Sequence, residues 1–297
     1  MTERLDGAPV AERVLQKCRE TVAAGRAQGL PVPVLASVHL GASTPFQFYL
    51  KRQGKAAATA GIEFRSTPLQ PGSGPKDLDT LLSLIDSDTA IHGAIVEHPL
   101  PAPFDFEASV SRLRPEKDTD GVGWSNLGHL LSGRPRQVPA VALAALAILE
   151  HYAIPLAGHR ITVLGRSPTV GLPLAVRLLA RGPGGDATVT VAHSRTPDLA
   201  ATLSGSEVVI SCVGQPGLLT RKLIPKGATV IDVGLSSVPD PSKPGGMRAV
   251  GDADLVDLDG WAGALTPTPG GVGPVTVSEL MANAVHGWEL LHAGGSG

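Results

Sequence analysis

The chain has 297 residues, long for one compact core and comfortable for two lobes. Hydrophobic residues make up 42% and charged residues 18%, with 36 glycines and 26 prolines, a globular composition suited to an α/β fold with many turns. The net charge of −2 gives no electrostatic case for nucleic acid or an anionic membrane, and no apolar run is long enough to span a bilayer.

The spacing of Val10, Val14, Leu15, Cys18 and Val22 predicts a helix over 8–28. Residues 31–41 (PVPVLASVHLG) read as a buried strand ending in a glycine turn, and 43–60 as a helix stopped by Gly61. A strand over 62–67, a helix over 78–85 and a strand over 90–101 that runs into a proline-rich turn follow. This alternation predicts a parallel sheet. A second run of the same kind begins with an apolar helix over 140–152. Strands are predicted over 159–167, 187–194, 207–214 and 228–236, with a helix over 172–181. Three of these four strands end at a glycine, which points to one ligand crevice at their carboxyl ends. The stretch 236–250 (SSVPDPSKPGGMRAV) reads as a surface loop, and the GGSG tail after Ala293 as disordered.

The two cysteines, Cys18 and Cys212, have no metal-ligand spacing and make no disulfide framework, so no metal is expected and a reducing, cytoplasmic setting is the default. The charged, amphipathic N-terminus does not read as a signal peptide.

The first candidate ligand site is the strand, the turn GRSPTVG (165–171) and the helix after it. Glycines let backbone approach a phosphate, and a helix N-terminus offers N–H groups to it. An acid after the second strand would favour NAD; here 193–196 reads HSRT, with no acid. With Arg166 and Arg195 beside Ser194, the reading is NADP; the same two arginines also suit a merely solvated surface.

Several motifs resemble one family, the methylenetetrahydrofolate dehydrogenase/methenyltetrahydrofolate cyclohydrolases, of which the chain reads as a divergent member. LTPTPGGVGPVT (265–276) is close to that family's TPVPGGVGPMT signature. GRSPTVGLP (165–173) is similar to GRSxxVGxP, and ATVTVAHSRT (187–196) to ATVTxCHSxT. GATVIDVGL (227–235) resembles GAxVIDVGI, and GD-x-D (251–254) follows it. EKDTDGVGWSNLG (116–128) resembles KDVDGFHxxNxG, and GAIVEHPLP (93–101) resembles GxLVQLPLP. The resemblance runs from about Leu35 to Asn283.

It implies a catalytic lobe over 1–138 plus 276–297, a Rossmann-like NAD(P)-binding lobe over 139–275, a last helix returning to the first lobe, and a homodimer. A tetrahydrofolate derivative would lie in the cleft between lobes. Carried over residue by residue, the resemblance gives the folate Tyr49, Lys55, Val96, Glu97, His98, Asp120, Pro269, Gly270, Gly271, Val272 and Gly273. It gives the cofactor Gly165, Arg166, Ser167, Val170, Gly171, His193, Ser194, Arg195, Val213, Gly214, Gly234, Leu235 and Thr276. Tyr49, Gln53, Glu97 and Asp120 take the catalytic positions.

The family's YVxxKxK motif follows an Ala-Ser pair; here ASTPFQFYLKRQGK (42–55) aligns Tyr49 with the tyrosine, Lys55 with the second lysine and Gln53 with the first. Hydrating a methenyl bridge needs a proton carrier that titrates, and a glutamine amide does not titrate. Hydride transfer asks the protein mainly for alignment. The dehydrogenase step is therefore expected to survive and the cyclohydrolase step to be weak or lost. The family's glutamine of VQLPLP is Glu97 and the next leucine His98, so the Lys–Gln pair reads Gln53–Glu97. A buried Glu97 can act as acid or base, or pair with Lys51, Arg52 or Lys55 and be structural. His98 reads as a packing or surface residue. PCTPxG reads PAVALA (139–144), which suggests a reshaped pocket. Two other readings stand beside the oxidoreductase: a non-redox methylene transferase or hydrolase working through Glu97, and a non-catalytic folate-binding homologue.

Overall fold

The structure, a computed structural model, describes residues 1–41, 44–240, 242 and 246–293. The Ala42–Ser43 pair and the GGSG tail lie outside the described residues. The chain divides into two compact units: Met1–Val10 with Val141–Thr276, and Ala11–Ala140 with the segment from Val277 onward.

In chain order the elements begin with β1 (Glu3–Arg4), α1 (Gly7–Ala27), β2 (Val34–Leu40), α2 (Thr44–Ala60), β3 (Glu63–Leu69), α3 (Pro75–Ser87) and β4 (Gly93–Val96). The short helices α4 (Phe106–Val110) and α5 (Trp124–Leu131) precede α6 (Ala140–His151). Then come β5 (Arg160–Leu164), α7 (Gly171–Leu179), β6 (Thr188–Ala192), α8 (Leu199–Leu203), β7 (Val208–Ser211) and β8 (Thr229–Asp232). The chain continues through β9 (Ser236–Pro239), β10 (Met247–Val250), α9 (Leu255–Leu258), β11 (Ala264–Leu265) and α10 (Val272–Ala293).

The smaller sheet is parallel, in the order β3-β2-β4. Its central strand β2 is covered on both faces, which is why its sequence is a near-continuous buried run. Val34, Ala36 and Val38 pack with Leu78, Leu82 and Ile85 of α3. Leu35 points the other way, joining Ile95, Ala56, Ala57 and Ala60 of α2, and Leu280, Met281 and Ala284 of α10. The last helix thus returns to this unit from Val277 onward. Lys117 is buried and ends α3: its ammonium donates to the carbonyls of Ile85 (2.9 Å), Asp86 (2.8 Å) and Asp88 (2.7 Å). That arrangement places a cation where orphan helix carbonyls need one.

The larger sheet has six parallel strands in the order β1-β11-β8-β7-β5-β6, a Rossmann-like arrangement. Its core gathers Leu164, Val209, Val230, Ile224 and Leu258. The first ten residues differ from the expected boundary, which assigned 1–138 to one lobe. Glu3 pairs with Ala264 and Arg4 with Leu265, and Leu5 N donates to Leu265 O at 2.9 Å, so Met1–Val10 belongs to the six-stranded unit. The expected loop over 236–250 is also corrected. Ser236–Pro239 and Met247–Val250 form an antiparallel hairpin, with Ser236 opposite Val250. Prolines, glycines and serines cluster around its turn, and that composition hid two short strands, the first alternating in exposure and the second exposed over its first three residues.

Candidate active site

The face of the smaller sheet that meets α2 changes character along its length. Ser37 pairs with Ile95, and Glu97 lies one residue beyond β4 on the same face. Leu35 and Ile95 make the start of that face apolar; Ser37, His39 and Glu97 make its carboxyl end polar. Carboxyl ends of parallel strands are where such sheets bind ligands. Along α2, Ala56, Ala57 and Ala60 cover the apolar part. Tyr49 and Gln53, one helical turn apart, serve the polar part.

Glu97 is 7% exposed; its N–H donates to Val38 O (2.8 Å), and Ser37 Oγ donates to its Oε1 (2.8 Å). Burial raises the Glu97 carboxyl above its usual range, while Gln53, Ser37 and His39 pull it down. Gln53 is 0% exposed, and among the described residues neither amide atom has a hydrogen-bond partner. Its amide therefore lies near enough to Glu97 and Tyr49 to influence both, without satisfying its own donor and acceptor. Burial pushes the Tyr49 hydroxyl up to about 12, reinforced by Glu97 and Asp120. Burial also lifts Asp120 to about 7, with Asp118 and Glu97 adding to the rise. Tyr49, Gln53, Glu97 and Asp120 thus share one local environment.

Three expected folate residues stand apart from that group. Val96 points to the opposite face of the sheet and is buried among Ala36 and Val38. Lys55 is exposed; six residues beyond Tyr49 means a rotation of about 240° around the helix. His98 is exposed and packs on Phe106, with ring centroids 4.8 Å apart.

The sequence reading missed Ser37, His39 and Asp118. A Ser and a His two residues apart within a buried apolar strand were the available signal. His39 donates from Nδ1 to Gly41 O (2.9 Å), and its Nε2 is hydrogen-bonded to the Ser66 hydroxyl (2.9 Å). Asp118 builds the loop that carries Asp120: it accepts from Gly121 N (3.0 Å), Gly123 N (2.8 Å) and Asn126 Nδ2 (2.8 Å). Asn283 donates to Thr119 O and Val138 O, both at 2.9 Å, and Ala140 N donates to Asp120 O at 3.2 Å. The altered PAVALA segment therefore begins beside Asp120.

In the six-stranded unit, β5 enters α7 through a turn only glycine permits. Gly165 has φ +113°, and a Cβ there would sit 2.9 Å from Cys212 O. A Cβ on Gly171 would sit 2.3 Å from Gly165 O. Gly171 N donates to Ser167 Oγ (3.3 Å), and Val170 precedes the helix as its cap. After β6, His193 Nδ1 accepts from Arg195 N (3.1 Å) and His193 N donates to Thr196 Oγ1 (3.0 Å), leaving Ser194 and Arg195 exposed. Arg166 is exposed too, and among the described residues neither guanidinium has a hydrogen-bond or ion-pair partner. Val213 and Leu235, just beyond β7 and β8, are 39% and 71% exposed. Thr276 donates to Val272 O at 3.2 Å in the first turn of α10.

Two buried aspartates tie these strand ends together. Asp252 Oδ2 accepts from Ser211 Oγ (2.6 Å), Val213 N (3.1 Å) and Gly214 N (3.3 Å). Asp232 accepts from Gly234 N (2.9 Å), Asp252 N (3.0 Å) and Ala253 N (2.9 Å). Burial lifts Asp232 to about 6. The free cationic pair, the glycine turn and the exposed apolar strand ends together fit a dinucleotide with an added phosphate.

Pro269, Gly270, Gly271, Val272 and Gly273, expected with the folate, lie in this second unit. Gly270 has φ +111° and its carbonyl accepts from Gly7 N (2.8 Å); Gly271 N donates to Pro267 O (2.7 Å).

Against known families, the tetrahydrofolate dehydrogenase/cyclohydrolase catalytic domain matches residues 5–120, and the NAD(P)-binding domain of the same family matches 139–291. The chain is 37% identical over 284 residues to the bifunctional protein FolD of Amoebophilus asiaticus, covering 95% of this chain and 94% of that one. With the bifunctional protein FolD of Cereibacter sphaeroides it shares 38% over 283 residues, 95% and 93% of the two chains. Among solved structures, the Trypanosoma brucei N5,N10-methylenetetrahydrofolate dehydrogenase-cyclohydrolase complexed with NADP cofactor and inhibitor superposes with a TM-score of 0.89 at 37% identity. That match covers 97% of this chain and 98% of the other. A 5,10-methylenetetrahydrofolate dehydrogenase from the silkworm Bombyx mori gives a TM-score of 0.91 at 31% identity, covering 99% and 100%.

Proposed function

The chain belongs to the tetrahydrofolate dehydrogenase/cyclohydrolase family, and from that premise we propose that it oxidises 5,10-methylenetetrahydrofolate to methenyltetrahydrofolate with NADP⁺ and hydrolyses the product weakly or not at all. The observation that carries this reading is Gln53, fully buried between Tyr49 and Glu97 where the resemblance expects a lysine.

Bound NADP⁺ supplies the hydride acceptor. The residues around it have the task of alignment. Arg166 and Arg195, whose guanidiniums have no hydrogen-bond or ion-pair partner among the described residues, suit the 2′-phosphate. On the folate side, Tyr49 keeps its proton throughout the physiological range and offers a ring for stacking. Asp120, lifted to about 7, can hold a proton or release one while hydrogen-bonded to the pterin. Removing hydride leaves a cation that the neighbouring ring nitrogens stabilise, so this step asks little of a base. Hydration of the methenyl bridge asks for a titrating group, and Gln53 has none. Lys51 and Lys55 are exposed, which argues against either replacing the missing amine.

The buried Glu97, with its raised carboxyl and its bond from Ser37, supports a second reading: non-redox transfer or hydrolysis of the one-carbon unit. A folate-binding homologue without turnover is the third. The experiment mixes the protein with methylenetetrahydrofolate and NADP⁺ and follows NADPH and methenyltetrahydrofolate together. Both rise and the methenyl species persists under the first reading. If neither forms while both ligands raise the melting temperature, the dehydrogenase reading fails. Glu97→Gln then separates the other two. A homodimer in the cytoplasm completes the proposal on the resemblance alone; light scattering at twice the 30.4 kDa chain mass checks the dimer.

A further inference from the structure

The polar end of the β2–β4 face holds a contact that the reaction as written does not use. Ser37 is fully buried at the centre of a parallel sheet, with Ile95 beside it on β4 and Ser66 beside it on β3. A hydroxyl in that place costs free energy unless it is hydrogen-bonded. Its hydrogen bond runs to Glu97 Oε1, at 2.8 Å. Glu97 in turn is anchored through its backbone, N–H to Val38 O at 2.8 Å, so the side chain leaves β4 directly over β2. Glu97 is thus held to the same neighbouring strand at two points, its backbone N–H and one carboxylate oxygen. Gln53, its other neighbour, lies close enough to favour the ionised carboxylate, but among the described residues its amide makes no bond of hydrogen-bond geometry.

We infer that Ser37 is a positioning residue: its hydroxyl fixes Oε1 of Glu97 against β2 and so presents Oε2 to the bound folate. The inference rests on the reading of this site as the folate site, and it extends that reading to a residue inside the sheet. A bond to the ionised carboxylate stabilises the charged form, against the burial that disfavours it. Ser37 therefore sets the pH at which Glu97 loses its proton as well as where its oxygens point.

The test is the titration of Glu97 itself. The protonated carboxyl stretch is followed by infrared difference spectroscopy, and Glu97→Gln identifies the band. The groups facing Glu97 are Tyr49 and Gln53 from α2, His39 from β2 and Asp120 from the loop after β4, and all are left intact. Ser37→Ala is expected to move the Glu97 midpoint to higher pH by about one unit, the size of one hydrogen bond to a charged group. Ser37→Thr restores the hydroxyl and is expected to restore the midpoint. Ser37→Cys keeps the volume, weakens the donor and is expected to shift the midpoint the same way by less; it decides the matter if Ser37→Ala fails to fold. A Glu97 midpoint that stays at the wild-type pH in folded Ser37→Ala, or in Ser37→Cys when the alanine variant does not fold, overturns the inference. The titration needs no turnover, so absent NADP⁺ reduction would sink the oxidoreductase proposal and leave this result standing.

Discussion

The two units bury carboxylates to opposite ends. In the six-stranded unit, Asp232 and Asp252 each accept three hydrogen bonds, five of the six from backbone N–H groups. In the smaller unit, Glu97 accepts one from a side chain, and among the described residues Asp120 accepts none at its carboxylate. The first pair fixes the loops after β7 and β8. The second pair lies in the same environment as an amide whose two atoms have no hydrogen-bond partner among the described residues. A buried carboxylate bonded mainly to backbone N–H groups is scaffold, even where one oxygen, Asp252 Oδ1, has no partner among the described residues, and a sparsely bonded one is poised for a ligand. Asp118 and Asp120, two residues apart, show both cases in one loop: the first accepts three bonds and shapes the chain, the second faces Glu97 and Tyr49.

The sharpest way to break this contrast is to supply the missing proton carrier on the sparsely bonded side. Gln53→Lys is expected to speed methenyltetrahydrofolate hydrolysis by about 10²-fold or more, the range of general acid–base catalysis, measured as decay of the methenyl absorbance. No gain in a folded variant would mean that more than this amine has been lost. On the backbone-bonded side, Asp252→Ala strands Ser211 Oγ and two backbone N–H groups. It is expected to cost about 3 kcal/mol or more in denaturant unfolding. A loss under about 1 kcal/mol would remove the scaffold reading. A smaller effect is expected at the exposed arginines: Arg195→Ala should weaken NADP⁺ binding about tenfold and leave NAD⁺ unchanged by calorimetry, since an exposed phosphate contact contributes on the order of 1–2 kcal/mol. Equal losses for both cofactors would show that Arg195 does not read the 2′-phosphate.

The smallest effect concerns Asp120 and sharpens the comparison through pH. Its folded pKa, about 7, lies above the ordinary 3.8, so the folded state holds a proton that the unfolded state releases. Stability from this group is full below about pH 4 and is lost as pH rises to about 7. Asp120→Asn is therefore expected to melt a few degrees above wild type at pH 8, with the gap closing near pH 4. An equal gap at both values would mean that Asp120 does not titrate in this window.

Much of this was legible in the sequence because it is local. Gly165 and Gly171 announce their turn, the apolar run 31–41 announces a covered strand, and Gln53 stands in the register of a recognisable motif. What escaped depends on distance or rotation. Glu3 finds Ala264 across the length of the chain, with nothing nearby to mark a strand two residues long. Lys55 keeps its motif spacing yet faces away, because motif spacing counts residues and a helix counts angles. Ser37 and His39 sat inside a run read as simply apolar, and their meaning came from Glu97 and Ser66 on other strands.

The pairing of β1 with β11 has a consequence in time. During synthesis Glu3 and Arg4 emerge well before Ala264 and Leu265, which complete their hydrogen bonds. At roughly 5–20 residues per second, that interval is on the order of ten seconds or more. Through all of it the edge strand of the nucleotide sheet exists only as an unpaired leader. The sheet can be finished only once translation of β11 is done, so a ribosome stalled anywhere before that point holds a nascent chain whose dinucleotide unit still lacks its edge.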